Sequence, residues 1–137
     1  MKDIDNIESQ SDTSTQTQAN EFKKVFEQLY AIETDLRCEK VSLNILRPTQ
    51  HCIHAYWLQV CENKLKNGLV EPIIVIKTGN RYILLQGHHR AIAAINLACN
   101  EIDSYVIDLN RDLKLGTEKA ADKMGIYSFD DVEIIFN

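Results

Sequence analysis

A predicted strand that runs into a predicted helix through one glycine, over residues 82–94, constrains this chain more than any other feature. The sequence there is YILLQGHHRAIAA: an apolar run, a glycine, two histidines and an arginine, and then an alanine-rich segment. Residues 82–85 predict a strand, and residues 91–99 predict a helix that packs on the sheet. Gly87 between them predicts a sharp turn where the backbone can approach a ligand closely.

The residue types at this turn are those that bind an anion. The first amides of a helix have no partner within the helix, and the helix dipole adds partial positive charge there. Arg90 adds a full charge and a two-pronged donor for phosphate, whereas His88 and His89 supply further donors or carry a proton. We therefore predict a phosphate-binding turn at Gly87, His88, His89 and Arg90. The alternative is an ordinary helix start, because a glycine followed by basic residues is common there.

Helices and short strands alternate along the rest of the chain. Apolar residues at helical spacing predict helices over residues 20–33, 54–67 and 117–124. Short apolar or alternating runs predict strands over residues 41–46, 73–76, 105–109 and 132–136. The turn sequence Thr78-Gly79-Asn80 joins residues 73–76 and 82–85 as a hairpin. This order predicts a mixed α/β fold, a single domain with a small mixed sheet flanked by helices.

Composition predicts where the domain begins and excludes several classes of protein. Residues 1–19 are polar and predict a disordered leader before a domain at residues 20–137, whose core is expected at 41–110. The net charge of −5 argues against non-specific binding to nucleic acid or an anionic membrane. The polar, acidic N-terminus has no apolar segment of the secretory type, so a cytoplasmic location is expected.

Residues 68–108, together with Ile45-Leu46-Arg47-Pro48, resemble the ParB/sulfiredoxin superfamily. The resembling elements are a strand that ends in proline, the stretch Gly68-Leu69-Val70-Glu71-Pro72-Ile73-Ile74-Val75, a hairpin, and a Gly-x-x-Arg box that opens an alanine-rich helix. The resemblance covers roughly half the chain and keeps the order of the elements. It implies the fold more specifically than it implies an activity.

Three branches of that superfamily differ at this box. Sulfiredoxins carry a nucleophilic cysteine where this chain has His88, so their chemistry is not expected. ParB partition proteins bind CTP and continue into a DNA-reading domain, but the residues after 109 are few and acidic, so no DNA partner is expected. The box of the archaeal free-serine kinases, Asp-Gly-His-His-Arg, is the most similar to residues 86–90, Gln-Gly-His-His-Arg.

Two departures from the serine-kinase pattern bear on activity. Gln86 and Gln50 stand where that branch has an aspartate and a glutamate near the reacting serine. A glutamine can bond to a substrate, but it cannot act as a base at neutral pH. The resemblance therefore implies a protein that binds a nucleotide (ATP, ADP or CTP, with Mg²⁺) or another phosphorylated ligand at residues 87–90. His88 and His89 would then line the pocket, and Gln50 and Gln86 would contact a second ligand. These four are the candidate catalytic residues, with catalysis lost or altered.

Other interpretations remain open. An active phosphotransferase on free serine or a similar hydroxylated metabolite would need another base in place of the two glutamines. A third hypothesis is a partner-binding protein with a purely structural box, in which the helix over residues 20–33 contacts the partner. A metal site of nitrogen and sulfur ligands is a further alternative, formed by His51, Cys52, His54, His88 and His89. Their spacing fits no standard zinc motif, and no metal is predicted.

Overall fold

The computed structural model of the chain describes residues 12–69 and 71–136. In these ranges there are four α-helices, seven strands and two short 3₁₀ turns, at Leu43–Ile45 and Phe129–Asp131. The helices are α1 (Asp12–Tyr30), α2 (Ala55–Lys66), α3 (His88–Asn96) and α4 (Gly116–Met124). The strands are β1 (Asp35–Ser42), β2 (Leu46–Arg47), β3 (Cys52–His54), β4 (Ile73–Thr78), β5 (Arg81–Gln86), β6 (Glu101–Asp108) and β7 (Glu133–Ile135).

Five of the strands form a mixed sheet in the order β1-β6-β4-β5-β2. The pairs β1/β6 and β4/β5 are antiparallel, whereas β4/β6 and β2/β5 are parallel. The remaining strands, β3 and β7, pair in parallel as a separate ribbon. The predicted fold class, a mixed α/β domain with a small mixed sheet flanked by helices, is confirmed.

The central strand β4 shows why this sheet needs cover on both faces. Successive side chains of a strand point to opposite faces. Ile73 and Val75 pack on the side of α3, and Ile74 and Ile76 pack on the side of α1, all of them fully buried. A third cluster joins α2, α3 and α4 to the β3/β7 ribbon through Ile53, Leu58, Cys61, Ile92, Ala93, Ala121, Ile126 and Val132. In the described ranges, no helix has the length and apolar character needed to cross a membrane.

The first helix corrects the predicted disordered leader. Residues 12–19 belong to α1, and residues 1–11 lie outside the described residues. Thr15 and Ala19 are buried, and they extend the stripe that Phe22 and Phe26 continue at spacings of three and four. Because the buried residues of this stripe are small, the mean hydropathy of the segment stays low. Its composition therefore resembles that of a disordered segment although it forms a helix.

Other boundaries also differ from the predictions, and the strand predicted over residues 105–109 begins at Glu101 as β6. The strand predicted over residues 41–46 is instead the end of β1, a 3₁₀ turn and the start of β2. β1 begins at Asp35 and lies at an edge of the sheet, where charged side chains remain exposed and weaken the apolar signal. The helix predicted over residues 91–99 begins earlier, at His88, and ends at Asn96, before Ala98 takes a positive φ of 64°.

Candidate functional site

The glycine between β5 and α3 takes the conformation that the sequence predicts. Gly87 has φ 107° and ψ 30°, a left-handed geometry, and it caps α3 without any side-chain hydrogen bond. A β-carbon at this position would lie 2.6 Å from Cγ2 of Ile73. Both the backbone angle and the contact with β4 therefore require glycine.

The start of α3 carries no compensating negative charge of its own. Its first turn contains no acidic residue, and the amides of residues 87–90 have no acceptor within the helix. Ala91 is the first residue whose amide bonds inside the helix, to the Gly87 carbonyl at 2.9 Å. This end of α3 thus combines uncapped helix geometry with a favourable dipole for an anion.

His88 and His89 lie inside the protein and bond to the segment that runs from the loop after β2 to the end of β3. His88 is 3% exposed, and its Nε2 accepts a hydrogen bond from the Thr49 amide at 2.9 Å. His89 is 7% exposed, and its Nε2 accepts one from the His54 amide at 3.1 Å. The rings of His54 and His89 lie nearly parallel, with centroids 6.4 Å apart. The two histidines of the box therefore fix the backbone of residues 49–54 beside the helix start.

Arg90 points to the other side of this junction. Its Nη1 donates to the Pro72 carbonyl at 3.0 Å and lies 3.7 Å from Oε1 of Glu71. The side chain is 9% exposed, and its Nε is buried without a hydrogen-bond partner. Arg90 also lines a cavity between α2, α3 and the sheet. The Glu71 carboxylate is therefore held beside the Arg90 guanidinium rather than freely solvated.

The two glutamines occupy different surroundings. Gln86 donates to the side chain of Gln18 on α1, and it is half-buried at the end of β5. Gln50 is exposed, and its amide donates to the Cys52 carbonyl at 2.7 Å, within its own loop. The structure brings Gly87, His88 and His89 together with the loop at residues 49–54, and it does not link Gln50 directly to Gln86.

Three residues that support this site were not predicted from the sequence. Thr49 donates its hydroxyl to the Leu84 carbonyl at 2.8 Å, in addition to the bond from its amide to His88. Arg47 anchors the start of the loop, because it donates to the Ile126 carbonyl and to Asp122 at 2.8 Å. That bond from Arg47, and a second from Lys114, lower the pKa of Asp122. Gln18 was hidden because it lies in the segment assigned to the leader.

The described ranges contain no group of three or more His, Cys, Asp or Glu side chains arranged to hold a metal ion. His54 and His89 stack, and Nε2 of His89 already accepts a backbone hydrogen bond. The structure therefore provides no positive support for a metal centre at the histidines.

Residues 14–118 match the ParB N-terminal domain family. This chain belongs to that family. Its sequence is 44% identical to the uncharacterised protein MJ0188 of Methanocaldococcus jannaschii over 98% of this chain and 51% of that protein. The chain therefore spans about half the length of this archaeal relative.

Solved structures extend the comparison beyond sequence similarity. Protein Atu1540 from Agrobacterium tumefaciens is 14% identical and superposes with a TM-score of 0.57, over 73% of this chain and 63% of that protein. A free serine kinase in complex with AMP is 18% identical, with a TM-score of 0.45, over 50% of this chain and 30% of the kinase. At such identities the Agrobacterium structure supports the shared fold alone.

Proposed function

We propose that this ParB N-terminal domain protein binds a nucleotide, or another small phosphorylated ligand, at the start of α3. The main observation in its support is the N-terminus of α3, which follows Gly87. It has no side-chain cap and no acidic residue in its first turn. Helix amides and the helix dipole attract phosphate without any charged side chain. The box Gly87-His88-His89-Arg90, which resembles that of serine kinases, supports the same assignment.

The role proposed for each side chain follows from its contacts. His88 and His89 position the loop at residues 49–54 as one wall of the site. Arg90 lies beside Gly87 on the opposite wall, with Nε 3.3 Å from the position of a Gly87 β-carbon. A phosphate bound at the helix start would compete with Glu71 and Pro72 for this guanidinium. Gln50 and Gln86 lie at the ends of the elements that enclose the site, where they would contact a second ligand.

Catalysis is proposed to be lost or altered rather than retained. Phosphoryl transfer to a hydroxyl is assisted by a group that orients it or accepts its proton. Gln50 and Gln86 cannot serve as bases. His88 and His89 each use Nε2 to accept a backbone hydrogen bond. Glu71 is engaged with Arg90.

Thermal unfolding with nucleotides tests the proposal. Mg²⁺ complexes of ATP, ADP and CTP are compared with adenosine and cytidine, which lack phosphate. A ligand at one hundred times its dissociation constant adds about 2.7 kcal/mol to the free energy of unfolding, which raises Tm by several degrees. We expect at least one nucleotide to produce this shift and the nucleosides to produce none. Equal shifts from a nucleoside, or no shift from any nucleotide, would contradict the proposal.

Matched variants locate the binding site. Gln86→Glu places a negative charge beside the helix start, and we expect it to weaken nucleotide binding. Gln59→Glu makes the same change on the exposed face of α2 and is expected to leave binding unchanged. For Arg90→Ala, the Tm shift on adding nucleotide is measured from the ligand-free Tm of the same variant, because loss of the hydrogen bond to Pro72 lowers stability by itself.

A turnover assay separates binding from the alternative phosphotransferase. Protein is incubated with serine and the Mg²⁺ complex of the stabilising nucleotide, and phosphoserine is sought by ³¹P NMR. We expect nucleotide binding without phosphoserine. Formation of phosphoserine at catalytic rates would contradict the proposed loss of catalysis but not the proposed binding site.

A further inference from the structure

The cavity that Arg90 lines lies between α2, α3 and the edge of the sheet. Its volume is about 170 Å³. Gln50, Gln86, Gly87, His88 and His89 are not among the residues that line it, and Arg90 is the one box residue that reaches it. An apolar protein cavity of about 150 Å³ accommodates benzene, so this space suits a molecule of that order of size.

The inner wall of the cavity is predominantly apolar. Leu65 of α2, Ala94 of α3 and Ile102 of β6 line it, with Leu69 and the thiols of Cys61 and Cys99. Leu69 is 63% exposed, so this side chain lies at the mouth rather than in the interior. A short hydrocarbon body would be desolvated by such walls, which is the main source of affinity in a pocket of this kind.

The charged groups around the cavity leave one half-buried cation unneutralised. Lys40 pairs with Asp103 at 2.7 Å, and Arg90 lies 3.7 Å from Glu71. Lys64 lines the cavity, is half-buried and forms no ion pair with the described part of the chain. The remaining carboxylate, Glu101, is exposed to solvent, where its charge is well screened.

We propose that this cavity binds a small aliphatic monocarboxylate, with its hydrocarbon chain against the apolar wall and its carboxylate on Lys64. One unpaired ammonium at an apolar opening matches one anionic head on a short chain. Among the described residues that line the cavity, a polyanion such as a nucleotide finds one unpaired cation and three carboxylates. The two proposed sites share Arg90, but they differ in ligand chemistry and in the other residues around the ligand, so either proposal can fail without the other.

Titrations followed by ¹H–¹⁵N NMR test this site with three probes of equal chain length: pentanoate, pentan-1-ol and pentylammonium. We expect saturable shifts at the amides of Lys64, Leu69, Ala94 and Cys99, with the highest affinity for pentanoate, a lower one for the alcohol and the lowest for the amine. Equal responses to pentanoate and pentylammonium would overturn the proposal. Shifts centred on residues 86–89 would overturn it as well, because they would assign the ligand to the phosphate site.

A charge variant supplies the second readout. Lys64→Gln removes the unpaired ammonium from a half-buried position, and we expect the Kd for pentanoate to rise about fivefold, as for an ion pair worth about 1 kcal/mol. Lys66→Gln, an exposed change near the end of the same helix, is expected to leave the Kd unchanged. The NMR spectrum of each variant reports directly whether it is folded. An unchanged Kd in folded Lys64→Gln would overturn the role of Lys64.

Discussion

At the scale of single residues, the charged and polar side chains of the Gly-His-His-Arg box spend much of their bonding capacity inside the protein. His88 and His89 bond to loop amides, and Arg90 bonds to the Pro72 carbonyl. Residue type and spacing predict what such groups are able to bind. They do not reveal which partners the fold supplies, because Thr49, His54 and Pro72 each lie 18 residues or more from the box residue that they bond to.

His88 offers a direct measure of one such internal bond. His88→Leu leaves the Thr49 amide without its acceptor, and we expect a loss of about 1–3 kcal/mol in the free energy of unfolding. His88→Gln keeps an acceptor close to the position of Nε2, so a smaller loss is expected. Urea denaturation of both variants makes the comparison. Equal losses would show that the hydrogen bond from Thr49 contributes little.

Gly87 combines two constraints that a pair of variants separates. Gly87→Ala adds a β-carbon 2.6 Å from Cγ2 of Ile73 at φ 107°. Gly68→Ala also has a positive φ, 78°, but the added carbon meets no atom within 4 Å. We expect Gly68→Ala to cost about 1–2 kcal/mol from backbone strain, and Gly87→Ala to cost about 1–3 kcal/mol more from overpacking. Equal costs in urea denaturation would contradict the close contact with β4.

At the scale of elements, an ion pair between a buried carboxylate and a partly exposed arginine fixes α4 to the β4–β5 hairpin. Glu118 is fully buried and accepts from Nε of Arg81 at 2.6 Å and from the Leu115 amide at 2.8 Å. Burial alone would raise the pKa of Glu118, but the bonds from Arg81 and Leu115 outweigh it and hold the pKa below its usual value. Hairpin and helix are predictable from sequence as separate elements, whereas this link between them is not.

The lowered pKa of Glu118 fixes the sign of a pH effect. A carboxyl whose pKa is lower in the folded state stabilises the protein above its unfolded pKa, about 4.3, and loses that contribution as the pH falls through the folded value. We expect Glu118→Gln to lower the free energy of unfolding by about 1–3 kcal/mol at pH 7. The difference in free energy of unfolding between wild type and variant should become smaller below pH 4.3. Urea denaturation across pH 3–7 measures both.

Asp112→Asn is the control for this pair. Asp112 contacts the same Arg81 but is 68% exposed, so its loss is expected to cost about 0–1 kcal/mol. If the difference in free energy of unfolding between wild type and Glu118→Gln does not change with pH, Glu118 is not ionised in the folded state.

At the scale of the whole molecule, the apolar periodicities predict the hairpin, α2, α4 and the glycine junction, because each has a complete local pattern. They miss the start of β1 and the first two turns of α1. β1 lies at a sheet edge, where Arg37 pairs with Asp108 of β6 at 2.9 Å, whereas α1 packs early through Thr15 and Ala19. In both cases a tertiary contact, rather than a local apolar run, stabilises the element. The family resemblance supplies the order of the elements, which periodicity alone does not.

The layered arrangement predicts which strands are most protected against local unfolding. β4 pairs with β6 on one side and β5 on the other, and Ile73, Ile74, Val75 and Ile76 are fully buried. By contrast, β7 is a three-residue strand paired only with β3, and Phe136 beside it is 82% exposed. Amides whose exchange requires global unfolding lie in the most deeply packed strands, whereas peripheral segments exchange by local opening. Hydrogen–deuterium exchange should therefore find the slowest amides in β4 and β6 and much faster ones in β7. Comparable protection of β7 and β4 would mean that the β3/β7 ribbon unfolds only together with the main sheet.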